Sequence, residues 1–168
     1  MSNAKTMRRR RQRLKVGLAI FLVVALGGSA IFGLTMGLWA PKSARELFIE
    51  SEEAFSRGDY PGAAGLCLEG LEQEPRFGPG YYLLGVCYQS WYEVSGDPEL
   101  VELAIDAFRK AVEFSQGEPM YVIALGESLL EAGDSEQAIA LLEEALLEDP
   151  DSPEAERIRQ LIAQAGAH

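Results

Sequence analysis

The chain reads as an all-α protein: a single N-terminal transmembrane helix, then three helix-turn-helix units stacked as a solenoid, then a C-terminal capping helix. Three observations predict this. Val16 to Trp39 is an apolar run without a charged side chain. Residues 44–77 and 119–152 carry the same order of small and large residues, and 78–118 repeats it with seven additional positions. Ser152-Pro153 then opens a last amphipathic segment to about Ala165.

At about 1.5 Å per residue the apolar run reaches about 36 Å, enough to cross a hydrocarbon core of about 30 Å. Lys5, Arg8, Arg9, Arg10, Arg11, Arg13 and Lys15 precede it, and only Lys42 and Arg45 follow closely. That asymmetry predicts a basic cytoplasmic tail over 1–15, a signal anchor over 16–39 and everything after it outside. Arg10-Arg11-Gln12-Arg13-Leu14-Lys15 also resembles a twin-arginine export signal, with Arg13 in place of the usual aromatic residue. Gly28-Ser29-Ala30 offers small residues for a signal peptidase, but cleavage there would leave Ile31-Phe32-Gly33-Leu34 still apolar, so an uncleaved anchor is the reading taken. Ala25, Ser29, Gly33 and Gly37 recur every four residues on one face. That spacing suits close approach of another membrane helix, and it also arises by chance in a glycine-rich span.

The linker 40–43 is short. Pro41 ends the membrane helix, and Ser43 with Glu46 forms a capping-box signature for the next one. Four extended residues span about 13 Å at most, which predicts a domain beside the bilayer.

The net charge of −11 conceals two opposite parts. Residues 1–40 hold seven basic and no acidic side chains, so residues 41–168 hold 8 basic and 26 acidic ones, a balance of −18. Such a domain is repelled by phosphates, which argues against nucleic acid as a partner. The lone histidine is His168 and the two cysteines are Cys67 and Cys87. No metal-ligand cluster, haem-attachment motif, phosphate-binding glycine loop or histidine-assisted nucleophile can be assembled from these. The expectation is a domain without enzymatic activity, cofactor or metal.

In the last unit Leu125-Gly126, Ala138, Leu142, Ala145 and Pro150 fall at positions 7, 8, 20, 24, 27 and 32 of the period. Ser51, Gly58-Asp59-Tyr60, Ala63, Gly70 and Pro75 match in the first, although Glu50, Ala54 and Cys67 stand where larger apolar residues are usual. In the middle unit Tyr81, Leu84-Gly85 and Tyr88 mark the first helix and Ala104, Phe108 and Ala111 the second, with an insertion around Tyr92 to Glu99. Gly96 breaks the helix there, and Asp97-Pro98 has the form of an N-cap followed by proline at the first helical position. Gln116 replaces the expected proline, predicting a looser junction with the third unit. Small residues at 8, 20 and 27 let two helices touch, large ones fill the seam and proline ends the second helix. The pattern over Ala44 to Ser152 resembles the tetratricopeptide repeat family, and with the apolar run the chain is similar to membrane-anchored bacterial repeat proteins. Residues 153–168 supply the cap, with Ile158, Leu161 and Ile162 on one side, that a repeat stack needs.

The resemblance implies a concave groove lined by positions 2, 5, 9, 12 and 13 of each first helix. Carried over, these are Arg45, Phe48, Glu52, Phe55 and Ser56; Tyr82, Val86, Gln89 and Ser90; and Ile123, Glu127, Leu130 and Glu131. Apolar residues with acidic neighbours suit an apolar segment bearing positive charge. Trp91 and Tyr92 fit three uses: packing under the insertion, a membrane interface, or gripping a partner. Cys67 and Cys87, on helices expected to be neighbours, fit either two buried thiols or, in an oxidising compartment, a disulfide.

The function expected is an adaptor, scaffold or assembly factor for a membrane-bound complex, anchored in a bacterial inner membrane with its repeats in the periplasm. Its partner would be a membrane-embedded or membrane-proximal protein, with the bilayer itself as a second. The alternative is a permanent structural subunit held through packing of its membrane helix.

Overall fold

The computed structural model describes residues 41–115 and 117–166, in seven helices: α1 Ala44–Ser56, α2 Tyr60–Gln73, α3 Gly78–Ser95, α4 Glu99–Phe114, α5 Pro119–Glu131, α6 Ser135–Glu148 and α7 Ala155–Ala165. The basic tail, the apolar run and the stripe Ala25, Ser29, Gly33 and Gly37 lie outside the described residues. Among the described residues no helix is long and apolar enough to cross a membrane.

The helices form three antiparallel hairpins, each followed by the next. Their turns are built alike. After α1 the N–H of Gly58 bonds Phe55 and that of Asp59 bonds Ala54, and after α5 Gly133 and Asp134 bond Leu130 and Leu129 in the same way. Gly58 and Gly133 have φ of 78° and 83°, left-handed conformations that a side chain resists. The aspartate that follows caps the next helix, Asp59 accepting from the Gly62 N–H and Asp134 from that of Gln137.

The two helices of each hairpin touch at one repeated contact. In the second and third units it is glycine against a large side chain: a Cβ on Gly85 would lie 2.5 Å from the Phe108 ring, and one on Gly126 would lie 3.0 Å from Leu142. In the first unit Cys67 takes the large residue's place, and the space admits Ser51, whose hydroxyl donates to the Ala63 carbonyl at 2.9 Å and lies 3.0 Å from the Cys67 sulfur. A smaller partner across the seam therefore explains why the first unit departs from the sequence pattern.

The insertion in the middle unit is helical. Its turn keeps three residues, 96–98, while α3 has 18 residues against 13 in α1 and α5, and α4 has 16 against 14 in α2 and α6. The seven additional positions thus extend the hairpin. Gly96 ends α3 at φ 70°, and Asp97 accepts from the Glu99 N–H. Trp91 and Tyr92, half-buried, pack against the main core, whereas Val94 is 75% exposed.

One core runs from Ala54 through Phe108 to Ala138, and a second joins Val122 and Leu142 to Ile158 and Leu161 of α7. The cap thus covers apolar surface that the third unit would otherwise show to water. At the other end Ser43 and Glu46 form a reciprocal capping box. The Ser43 backbone N–H, and then its hydroxyl, hold the Glu46 carboxyl below the usual range. Lys42 pairs with Glu50, and its carbonyl accepts from Gln73 at 3.0 Å, so this linker residue is fastened to α1 and α2.

Candidate partner-binding surface

The stripe marked by the sequence runs along α1, α3 and α5, and the structure divides its residues into two kinds. Phe48 and Tyr82 are committed to packing between units. The Phe48 ring lies over the bare backbone of Gly70 and Gly80, where an added Cβ would come within 2.8 Å, and its centroid is 5.1 Å from that of Phe77. Tyr82 stacks on Tyr121 at 4.7 Å and leans on Phe108 at 5.8 Å. Each of the first two units thereby presses an aromatic ring against the following first helix.

The other residues make no such ring contact between units, and Phe48 and Tyr82 are themselves half-buried. Phe55 is half-buried against Tyr60, with centroids 5.2 Å apart. Val86, Gln89, Ser90, Ile123 and Leu130 are half-buried, while Arg45, Glu52, Ser56 and Glu131 are exposed. Ser56 donates to the Glu52 carbonyl within its own helix. Glu127 is occupied: Arg157 of α7 reaches it at 2.5 Å, so the cap neutralises one carboxylate of the stripe. Sequence reasoning did not include Arg157, because only the packing of α7 beside α5 brings residues thirty apart together.

Cys67 and Cys87 are free thiols, fully buried at the seam of α2 and α3. The hydrogen-bonding Cys67 sulfur and burial hold the Cys87 thiol well above its ordinary range, keeping it protonated. Among the described residues no group of histidine, cysteine and carboxylate side chains is arranged to hold a metal ion.

The model of the tetratricopeptide repeat family matches residues 101–164. Solved structures extend the likeness to about three-quarters of the chain. The Yersinia enterocolitica type III secretion chaperone SycD, in complex with a peptide of the translocator YopD, is 18% identical with a TM-score of 0.62, over 73% of this chain and 92% of that one. The domain has the tetratricopeptide repeat fold. A repeat domain of yeast Sti1, in a pHsp70 complex, is 21% identical with a TM-score of 0.63, over 74% of this chain and 96% of its own. The first repeat domain of Spaghetti, bound to an HSP90 peptide, is 19% identical with a TM-score of 0.61, over 75% and 94%. No curated protein matches the sequence.

Proposed function

We propose that this chain is a non-catalytic, membrane-anchored adaptor or assembly factor whose repeat domain lies in the periplasm of a bacterium and binds a segment of a membrane-bound partner. One observation carries the reading: Phe55, Val86, Gln89, Ile123 and Leu130 remain half-buried along the first helices, with the carboxylates of Glu52 and Glu131 exposed beside them. Partly covered apolar side chains release water when a partner docks, and the carboxylates favour a partner segment that carries positive charge. That peptides sit on repeat domains of similar fold supports the same use of this one. The apolar run Val16 to Trp39 and the seven cations before it support the anchor and its orientation.

A photo-crosslinker at Gln89, activated in native membranes, tests the reading. It is expected to capture a membrane protein through an apolar segment containing Lys or Arg, and replacing Phe55 by Ala should weaken capture. Retention of the partner in that variant, with its loss when Gly33 and Gly37 become Leu, would move recognition into the bilayer. The small-residue stripe favours this second reading, a permanent subunit.

A further inference from the structure

The repeat sets a large apolar side chain at the seam of the second and third hairpins, Phe108 and Leu142, but a sulfur, Cys67, at that of the first. The other sulfur stands beside it. Cys87 lies on the next first helix, and the two thiols are within hydrogen-bonding reach of each other. The Ser51 hydroxyl, 3.0 Å from the Cys67 sulfur, also reaches Cys87. All three side chains are fully buried. Packing alone asks for neither sulfur, since the other two seams close on carbon, yet the chain's two cysteines meet at this one junction.

We propose that Cys67 and Cys87 are a redox pair that closes to a disulfide, joining the first hairpin to the second. The packed seam of α2 and α3 already brings the two sulfurs together, which is the geometric condition such a bond sets. The thiols differ in readiness. Hydrogen bonds from the Cys87 thiol, and then from the Ser51 hydroxyl, hold the Cys67 thiol below its ordinary range, whereas Cys87 is held above its own. Burial shields both sulfurs, so an oxidant reaches Cys67 when α3 opens from α2. Ser51 belongs to the same hairpin as Cys67, and its hydrogen bond stays with Cys67 in that opening. The Cys67 thiolate attacks an oxidant disulfide, either a small molecule or one carried by a thiol oxidoreductase. A mixed disulfide forms, and the first oxidant thiolate leaves and takes up the Cys67 proton. As α3 closes, Cys87 gives up its proton and attacks the Cys67 sulfur, and the second oxidant thiolate leaves with that proton. The pair loses two electrons and the oxidant gains them.

The test uses the purified full-length chain in detergent micelles, unfolded and reduced in denaturant, then refolded in equal concentrations of reduced and oxidised glutathione, quenched with acid and alkylated. The expected product is a single chain lighter by two hydrogens, free of alkyl label and of glutathione, that yields one peptide pair linked through Cys67 and Cys87. Its Tm should exceed that of the reduced chain by on the order of 10 °C, because the bond restricts the unfolded chain. Under brief exposure of the folded variants to oxidised glutathione, Cys87→Ala should acquire glutathione several-fold faster than Cys67→Ala, and the reverse order would remove Cys67 as the attacking thiol. Alkylation of both cysteines, a glutathione adduct, a disulfide between chains, or an oxidised chain that melts no higher than the reduced one would overturn the proposal. Refolding in a defined buffer does not depend on which side of the membrane the domain occupies. Protease treatment of spheroplasts reports that side separately, so each reading can fail without the other.

Discussion

Ser128 is the one described residue whose buried side-chain polar atom lacks a hydrogen-bond partner, and it is only 1% exposed. It stands where Cys87 stands in the preceding unit, two residues after the contact glycine, and a thiol tolerates apolar surroundings better than a hydroxyl. An unsatisfied buried hydroxyl costs about 1–3 kcal/mol. Ser128→Ala removes that cost and improves helix propensity, so it should raise stability by roughly 1 kcal/mol, against the usual direction of a core truncation. Thermal unfolding followed by circular dichroism checks this, and a lower Tm would mean that the hydroxyl is satisfied. At this scale the sequence was legible where a residue's role is set within its own hairpin, as with Gly126 and Leu142. It was not legible for Phe48, Tyr82 or Glu127. Their surroundings come from the next first helix or the cap, through Gly80, Tyr121 and Arg157, and depend on how the hairpins cross.

Between elements, the two glycine contacts differ in what a methyl group would meet. At Gly85 a Cβ would come within 2.5 Å of Phe108, a rigid ring that is fully buried, as Leu142 is. At Gly126 the obstacle is the end of Leu142 at 3.0 Å, which can rotate. Gly85→Ala should therefore cost on the order of 1–3 kcal/mol of overpacking, outweighing the ~1 kcal/mol that alanine gains in a helix. Gly126→Ala should cost less or nothing. Chemical denaturation of both variants checks the ranking, and a larger loss at Gly126 would show that Leu142 is the more tightly confined side chain. The helices themselves were readable because caps, terminal prolines and spacing all act locally. The insertion was expected around Tyr92 to Glu99, and its form was not evident from the sequence. Tyr92 to Ser95 contains no breaker, so α3 continues outward until glycine stops it, and the extra residues lengthen the hairpin without loosening its turn.

At the scale of the whole molecule the charge distribution is the main guide, because it separates a basic amino-terminal region from a domain that carries a balance of −18. Repetition made the solenoid legible, since the same local solution appears three times. The binding surface was only partly so, because it consists of what the stack leaves uncovered, and that depends on packing between units. The proposed orientation is a consequence of charge alone. Positively charged flanks resist translocation while acidic residues have little influence, so the seven cations before Val16 should remain inside even though the far larger domain is acidic. Protease added to spheroplasts should then digest the repeat domain and spare an epitope placed ahead of Lys5. Replacing Arg8, Arg9, Arg10 and Arg11 with Gln reduces the preceding cations to three against two behind, and should divide the population between protected and digested domains. Full protection of the domain in the unaltered chain would place the repeats in the cytoplasm, and the partner would then have to be sought on that side of the membrane.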